Sequence, residues 1–219
     1  MNAVYDDLEQ LQAIVNRPMD TAPRLIYADW LEERGECARA EFIRIQCELA
    51  FQCRPYTGRL AALDQRQEQL LADHCADWLG EVRGCLRDFS FERGFVDWVC
   101  MTPTQFRAGA DRVFRRCPVR SLTLQGERPS EGLFGRWLRL AEAPAPPLGD
   151  LFESPLLKQL NRLCLDVASV SDADADALAR CRYVRKVYTL HVRYNALSDV
   201  GRQLLARRFG NSLRIGLLP

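Results

Sequence analysis

"VYTLHVRYNAL" (Val187–Leu197), followed directly by "SDVGRQLLARRFG" (Ser198–Gly210), carries the reading on which the fold depends. Its first half places apolar residues at Val187, Leu190 and Val192 with polar ones between, the alternation of a half-buried strand. An asparagine-containing turn follows at Asn195. The remainder reads as a helix that stops at Gly210. The segment is therefore a β–turn–α unit.

Its spacing recurs. Val119-x-x-Leu122-x-Leu124, Leu160-x-x-Leu163-x-Leu165, Val187-x-x-Leu190-x-Val192 and Leu213-x-Ile215 superpose, and Phe95-x-x-Trp98-x-Cys100 fits as an earlier, degenerate copy. From Trp98 onward the equivalent positions are separated by 24, 41, 27 and 23 residues. The long interval contains the proline-rich "EAPAPPLGD", and residues 126–155 are expected to form an exposed insertion. These intervals bracket the 20–29 residues of a leucine-rich repeat, and Val187–Leu197 matches L-x-x-L-x-L-x-x-N-x-L. The spaced apolar residues are expected to fill a core between stacked rungs, and Asn195 to hydrogen-bond backbone groups leaving the sheet.

The front of the chain has a different period. "DDLEQLQAIVNR" aligns Leu8, Leu11 and Val15, and "APRLIYADWLEERGE" carries Leu25, Ile26, Trp30 and Leu31 and ends at Gly35. "ARAEFIRIQCELAFQ" sets Phe42, Ile45 and Leu49 along one side. "TGRLAALDQRQEQLLADHCADWLG" continues with Leu60, Leu63, Leu70, Leu71, Trp78 and Leu79. The pattern predicts a helical bundle over 1–87 and an α/β region with a parallel sheet over 88–219.

Composition fits a soluble globular protein: 47% apolar, 27% charged, net charge +1 over 219 residues. The charge is unevenly spread. Residues 1–80 hold 8 Arg and 14 acidic residues, a balance of −6, and the rest holds +7. No apolar run approaches a membrane span, and the acidic start is unlike a signal peptide. Nine cysteines without a Cys-x-x-Cys pair read as reduced core thiols of a cytoplasmic protein, with neither a disulfide framework nor a zinc site.

"TAPRLIYADWLEERGECARAEFIRIQCELA" resembles the repeat-companion domain that precedes leucine-rich repeats in planctomycetes and related bacteria. The resemblance rests on the R-L-x-Y-A-D-W-L-E-E-R-G block at Arg24–Gly35 and the E-F-I-R-x-Q block at Glu41–Gln46. "DWLGEV" and "FERGFVDWV" are similar to the stretch joining that domain to its repeats, and "LSDVGRQLLARRFG" is similar to a last repeat. The resemblance implies a helical cap on a short leucine-rich-repeat solenoid, and a scaffold of no agreed activity.

No motif for catalysis stands in the chain. His74 and Cys75 are adjacent, which points them about 100° apart on a helix. Asp172, Asp174 and Asp176 begin like a calcium loop, but Ala177 and Tyr183 stand where it needs Gly and Glu, so helix capping is the better reading. Asp29, Glu32, Glu33 and Arg34, with Arg24 and Arg44, read as ion pairing between helices. A non-enzymatic protein, with no cofactor, no metal and no small-molecule substrate, is expected. Its partner-binding residues would be those between the strand leucines: Arg120, Thr123, Gln125, Asn161, Arg162, Asp166, Tyr188, His191, Arg193 and Arg214. Ser121, Cys164 and Thr189 share that face. The expected partner is a protein. The alternative is a nucleic-acid-associated accessory subunit of a regulatory or defence complex, using the clusters Arg112, Arg115, Arg116 and Arg180, Arg182, Arg185, Lys186.

Overall fold

The computed structural model describes residues 3–50, 58–126, 147–166, 168–193, 195 and 197–215, with side chains from residue 9 onward. The Leu8 side chain and positions 127–146 of the expected insertion lie outside these. Among the described residues, seven α-helices and a mostly parallel six-stranded sheet make a mixed α/β architecture. The helices are α1 (Ala3–Asn16), α2 (Ala22–Glu32), α3 (Cys37–Ala50), α4 (Gly58–Leu79), α5 (Pro103–Arg116), α6 (Asp172–Arg180) and α7 (Asp199–Phe209). The strands are β1 (Asp88–Glu92), β2 (Phe95–Met101), β3 (Ser121–Leu124), β4 (Arg162–Cys164), β5 (Thr189–His191) and β6 (Leu213–Arg214), and they follow chain order in the sheet. No helix among the described residues is long and apolar enough to cross a membrane.

Two compact units divide the chain: residues 1–99 with 111–120, and residues 100–110 with 121–219. The helices α1–α4 and the strand β1 thus belong to one unit, and β3–β6 to the other.

In the first unit, α3 is buried on two sides. Ala40, Ile43 and Cys47 pack with Ile14, Tyr27, Ala28, Leu31 and Phe95, while Phe42 and Ile45 pack with Leu70, Trp78 and Phe91. The inward face of α2 is Arg24, Tyr27, Ala28 and Leu31, at helical spacing i, i+3, i+4, i+7. Leu25 and Ile26, which apolarity alone would send inside, are instead exposed. Arg24 takes the place a leucine would fill: its guanidinium donates to the Pro18 carbonyl at 2.9 Å and lies 5.4 Å from the Phe95 ring centroid. Burial pushes its pKa down to about 10.

The turn between β1 and β2 has positive φ at both Arg93 (51°) and Gly94 (84°), the backbone of a type I′ hairpin. One stripe of α3 clamps it. Gln46 Oε1 accepts from the Gly94 N–H at 2.7 Å, Arg39 donates to the Gly94 carbonyl at 2.5 Å, and a Cβ on Gly94 would sit 2.8 Å from Ile43 Cα. Arg39 also stands 4.7–5.6 Å from the centroids of Phe42, Trp78, Phe91 and Phe95, an aromatic box around a cation.

In the second unit, β3, β4, β5 and β6 pair in parallel and in strict register. Leu122 aligns with Leu163, Leu163 with Leu190, and Leu190 with Leu213. The first three are fully buried, as are Leu160 and Leu165. Asn195, itself buried, ties the ribbon to the turns behind it. Its amide donates to the carbonyls of Leu165 (2.8 Å) and Arg193 (3.0 Å), and its oxygen accepts from the Val170 N–H (2.9 Å).

Capping is explicit in three helices. Thr102 and Gln105 exchange side-chain-to-backbone bonds at the start of α5, and Ser171 and Asp174 do the same for α6. Asp172 instead reaches the next helix, accepting from the N–H and hydroxyl of Ser198, which caps α7. The last part of the expected loop is not loop-like. Gly149–Glu153 is a 3-10 turn with Leu151 and Phe152 buried, and the buried Leu148 N–H donates to Asp174 at 2.6 Å. Those apolar residues have core to fill, which the prolines just before them do not reveal.

Candidate functional site

The parallel register decides which polar side chains share a surface. On either side of the leucine column run two rows: Ser121, Arg162 and Thr189, and Thr123, Cys164, His191 and Arg214. Ser121 is buried, Arg162 and Arg214 are exposed, and the others are half-buried. Gln125 is exposed just past β3. Tyr188, immediately before β5, keeps 60% of its surface accessible, far more than an aromatic used for packing. Asn161 serves the ladder itself, its carbonyl accepting from the Tyr188 N–H at 3.0 Å.

Asp166 and Arg193 lie one step beyond the strands and hold each other. The carboxylate accepts from the Arg193 backbone N–H at 2.6 Å, from its Nε at 2.9 Å and from its other guanidinium nitrogen at 2.8 Å. His191 Nδ1 is 3.9 Å from the same carboxylate. Thus Thr123, Arg162, Asp166, Tyr188, His191, Arg193 and Arg214 gather on or beside this face.

Arg120 does not join them. It belongs to the other unit, where its guanidinium forms a close ion pair with Asp97 and stands 3.7 Å from Glu92; its side chain is only 11% exposed. Burial pushes the Asp97 carboxyl above its ordinary range, and the hydrogen bond from Arg120 pulls it back. Asp97 lacked any sequence signal as the partner of Arg120, because nothing in a strand pattern states which edge residues meet.

One cluster on the face has ligand chemistry. The sulfur of Cys164, a carboxylate oxygen of Asp166 and a ring nitrogen of His191 all lie within 4.8 Å of one another. Thiolate, carboxylate and imidazole are the donors of a zinc site. Here, however, both Asp166 oxygens already serve Arg193, one its backbone N–H and the other its guanidinium, so a metal would compete with one of these. The same trio also has the residue types of a thiol nucleophile with its base. The Cys164 thiol is pushed up, first by burial and further by the Asp166 charge, the opposite of the depression that activates a nucleophile. As it stands, Asp166 is held by Arg193 beside a thiol whose pKa burial raises.

The charged cluster of the first unit is an ion-pair network. Arg44 reaches Asp29 and Glu32, each at 2.7 Å, and Arg34 stacks over Trp30 at 3.8 Å. Arg24 is not part of it.

Comparison with known proteins finds no matching family model, no matching curated protein and no matching solved structure.

Proposed function

We propose that this chain is a non-enzymatic adaptor, a helical repeat-companion unit followed by a short leucine-rich-repeat solenoid, whose strand face docks an acidic protein surface. The observation that carries the reading is the in-register ribbon β3–β6 with its row of accessible side chains. A leucine column that fills the core leaves the alternate positions free for contact, and successive rungs repeat those positions at the ~4.8 Å strand spacing. The exposed charges on the face are Arg162 and Arg214, and its carboxylate Asp166 is already neutralised by Arg193. That balance favours an acidic partner. Tyr188 supplies a large, rigid aromatic of the kind that anchors interfaces.

The competing expectation of nucleic-acid binding through long arginine clusters has less support. Arg115 is paired with Asp111 at 2.6 Å and Arg180 with Asp176 at 3.0 Å, so each cluster is partly neutralised. The test of the adaptor reading is affinity capture with the native protein and with a variant combining Arg162→Ala, Tyr188→Ala and Arg214→Ala. All three side chains are exposed, so folding is retained. A partner recovered by the native chain should be lost from the variant and mapped by cross-linking to the face. Equal recovery by both proteins refutes the assignment.

A further inference from the structure

The turns that lead into β4 and β5 stack as the strands do. Leu157-Lys158-Gln159-Leu160 and Val184-Arg185-Lys186-Val187 are separated by 27 residues, the same interval as Leu163 and Leu190. They lie at the 3-10 turns Pro155–Gln159 and Val184–Lys186, which pack against each other. Leu157, Leu160, Val184 and Val187 are buried, so Lys158, Arg185 and Lys186 are held outward by the packing of their neighbours. Arg182 and Tyr183 come from the segment entering the second turn. Together these five residues line an open cavity of about 530 Å³.

The charge of this cavity is one-sided. It has four cations, one phenol and no carboxylate. Lys158 Nζ is 5.2 Å and the Arg182 guanidinium 4.9 Å from the Tyr183 ring centroid, and Arg182 donates to the Tyr183 hydroxyl at 2.7 Å. Among the described residues none of the four cations forms an ion pair, whereas Arg44, Arg66, Arg107 and Arg115 each hold a carboxylate at 2.6–2.7 Å. Like charges gathered around one hollow repel, and that cost is returned only when an anion enters.

We infer that this cavity, distinct from the strand face, is a binding site for a compact polyphosphate, either free or at the end of a nucleotide. The class follows from charge, shape and donors. A single carboxylate would leave most of four positive charges uncompensated. Guanidinium groups match phosphoryl oxygens in a two-pronged geometry, and lysine ammonium groups add point charges. The Tyr183 hydroxyl accepts from Arg182 and keeps its own proton to donate. The volume lies within the roughly 300–1,000 Å³ of small-molecule sites. Arg180, which the sequence groups with these cations, is taken by Asp176, and Lys158, 22 residues earlier in the chain, replaces it.

Calorimetric titration of the full chain with inorganic tripolyphosphate at low and at moderate salt tests the site. A second arm uses a 5′-triphosphorylated nucleotide, and a third an unphosphorylated single-stranded oligonucleotide. Saturable one-to-one binding of tripolyphosphate is expected, weakening as salt rises. Lys158→Ala should weaken it about tenfold, and Arg182→Ala with Arg185→Ala and Lys186→Ala should abolish it, since each removes a charge-assisted contact. The triple variant Arg112→Ala, Arg115→Ala, Arg116→Ala, which carries an equal loss of charge on α5, should bind as the native protein does. A nucleotide that binds as tightly as tripolyphosphate makes the phosphate chain the recognised part, and a tighter one adds its base to the site. Either result supports the inference. Absence of saturable binding, equal loss in the α5 variant, or binding of the oligonucleotide but not of tripolyphosphate overturns it.

Discussion

Replacing Asn195 by alanine should destabilise the second unit by about 2–4 kcal/mol. The side chain makes three backbone bonds at 2.8–3.0 Å, all inside the protein. Removing it leaves the Val170 N–H, on a residue only 1% exposed, without its acceptor. A buried donor left unsatisfied costs about 1–3 kcal/mol. The Leu165 carbonyl keeps a weaker bond from Ala168 at 3.3 Å, and the loss of its better donor adds about 1 kcal/mol more. Asn195→Asp sharpens the test. It preserves an acceptor for Val170 but sets a carboxylate against two carbonyl oxygens that need donors, so it should cost at least as much as alanine. Urea unfolding followed by circular dichroism gives both numbers, the midpoint falling with little change in slope. A change within about 0.5 kcal/mol for alanine, or native-like stability for the aspartate, would refute the role assigned to this residue.

Other outcomes follow from the same geometry. Gly94→Ala needs a left-handed backbone at φ 84° and a Cβ 2.5 Å from Ile43 Cγ1, so a loss of about 2–4 kcal/mol in chemical unfolding is expected; native stability would show that the hairpin does not need its α3 clamp. Leu190→Ala, between Leu163 and Leu213 in the column, should cost about 2–5 kcal/mol by cavity formation, while Tyr188→Ala two residues earlier should stay within about 0.5 kcal/mol. Similar losses for the two would contradict the inward and outward assignment. Burial raises the Cys117 thiol from 9.0 to about 11, so its thiolate is less favourable in the fold than in the unfolded chain. That contribution is intact below about pH 9 and is lost as pH climbs through about 11; Cys117→Ala should flatten the alkaline decline in stability, and an unchanged slope would sink the reasoning. Peptide mapping after brief alkylation at pH 8 should find the exposed Cys37 labelled and Cys117 and Cys47 protected.

Much of the second unit was legible one residue at a time. The recurrence of leucine at fixed intervals, the asparagine after the strand and the serine-led helices are local signals, because rung spacing, turn chemistry and capping are properties of short segments. They predicted that Leu122, Leu163, Leu190 and Leu213 would be equivalent, and the parallel register aligns them. Helical periods in the first eighty residues were equally plain.

Partnerships between segments were not. Arg24 reads as a surface cation and is buried against Pro18 and Phe95, while Leu25 and Ile26 read as core and are exposed. The rotation of a helix about its axis is chosen by the total packing of its neighbours, and here that packing takes in a guanidinium with one acceptor and an aromatic face. Arg120 stands between the spaced apolar residues Val119 and Leu122, as its strand-face companions stand between theirs, yet belongs with Asp97, 23 residues earlier. The polyphosphate cavity joins Lys158 to Arg182 and Arg185 only because two turns stack. Periodicity along the chain fixed which residues could be equivalent; only folding in three dimensions decided which charges would face each other, since Coulomb and hydrogen-bond energies depend on distance through space and not on separation in sequence.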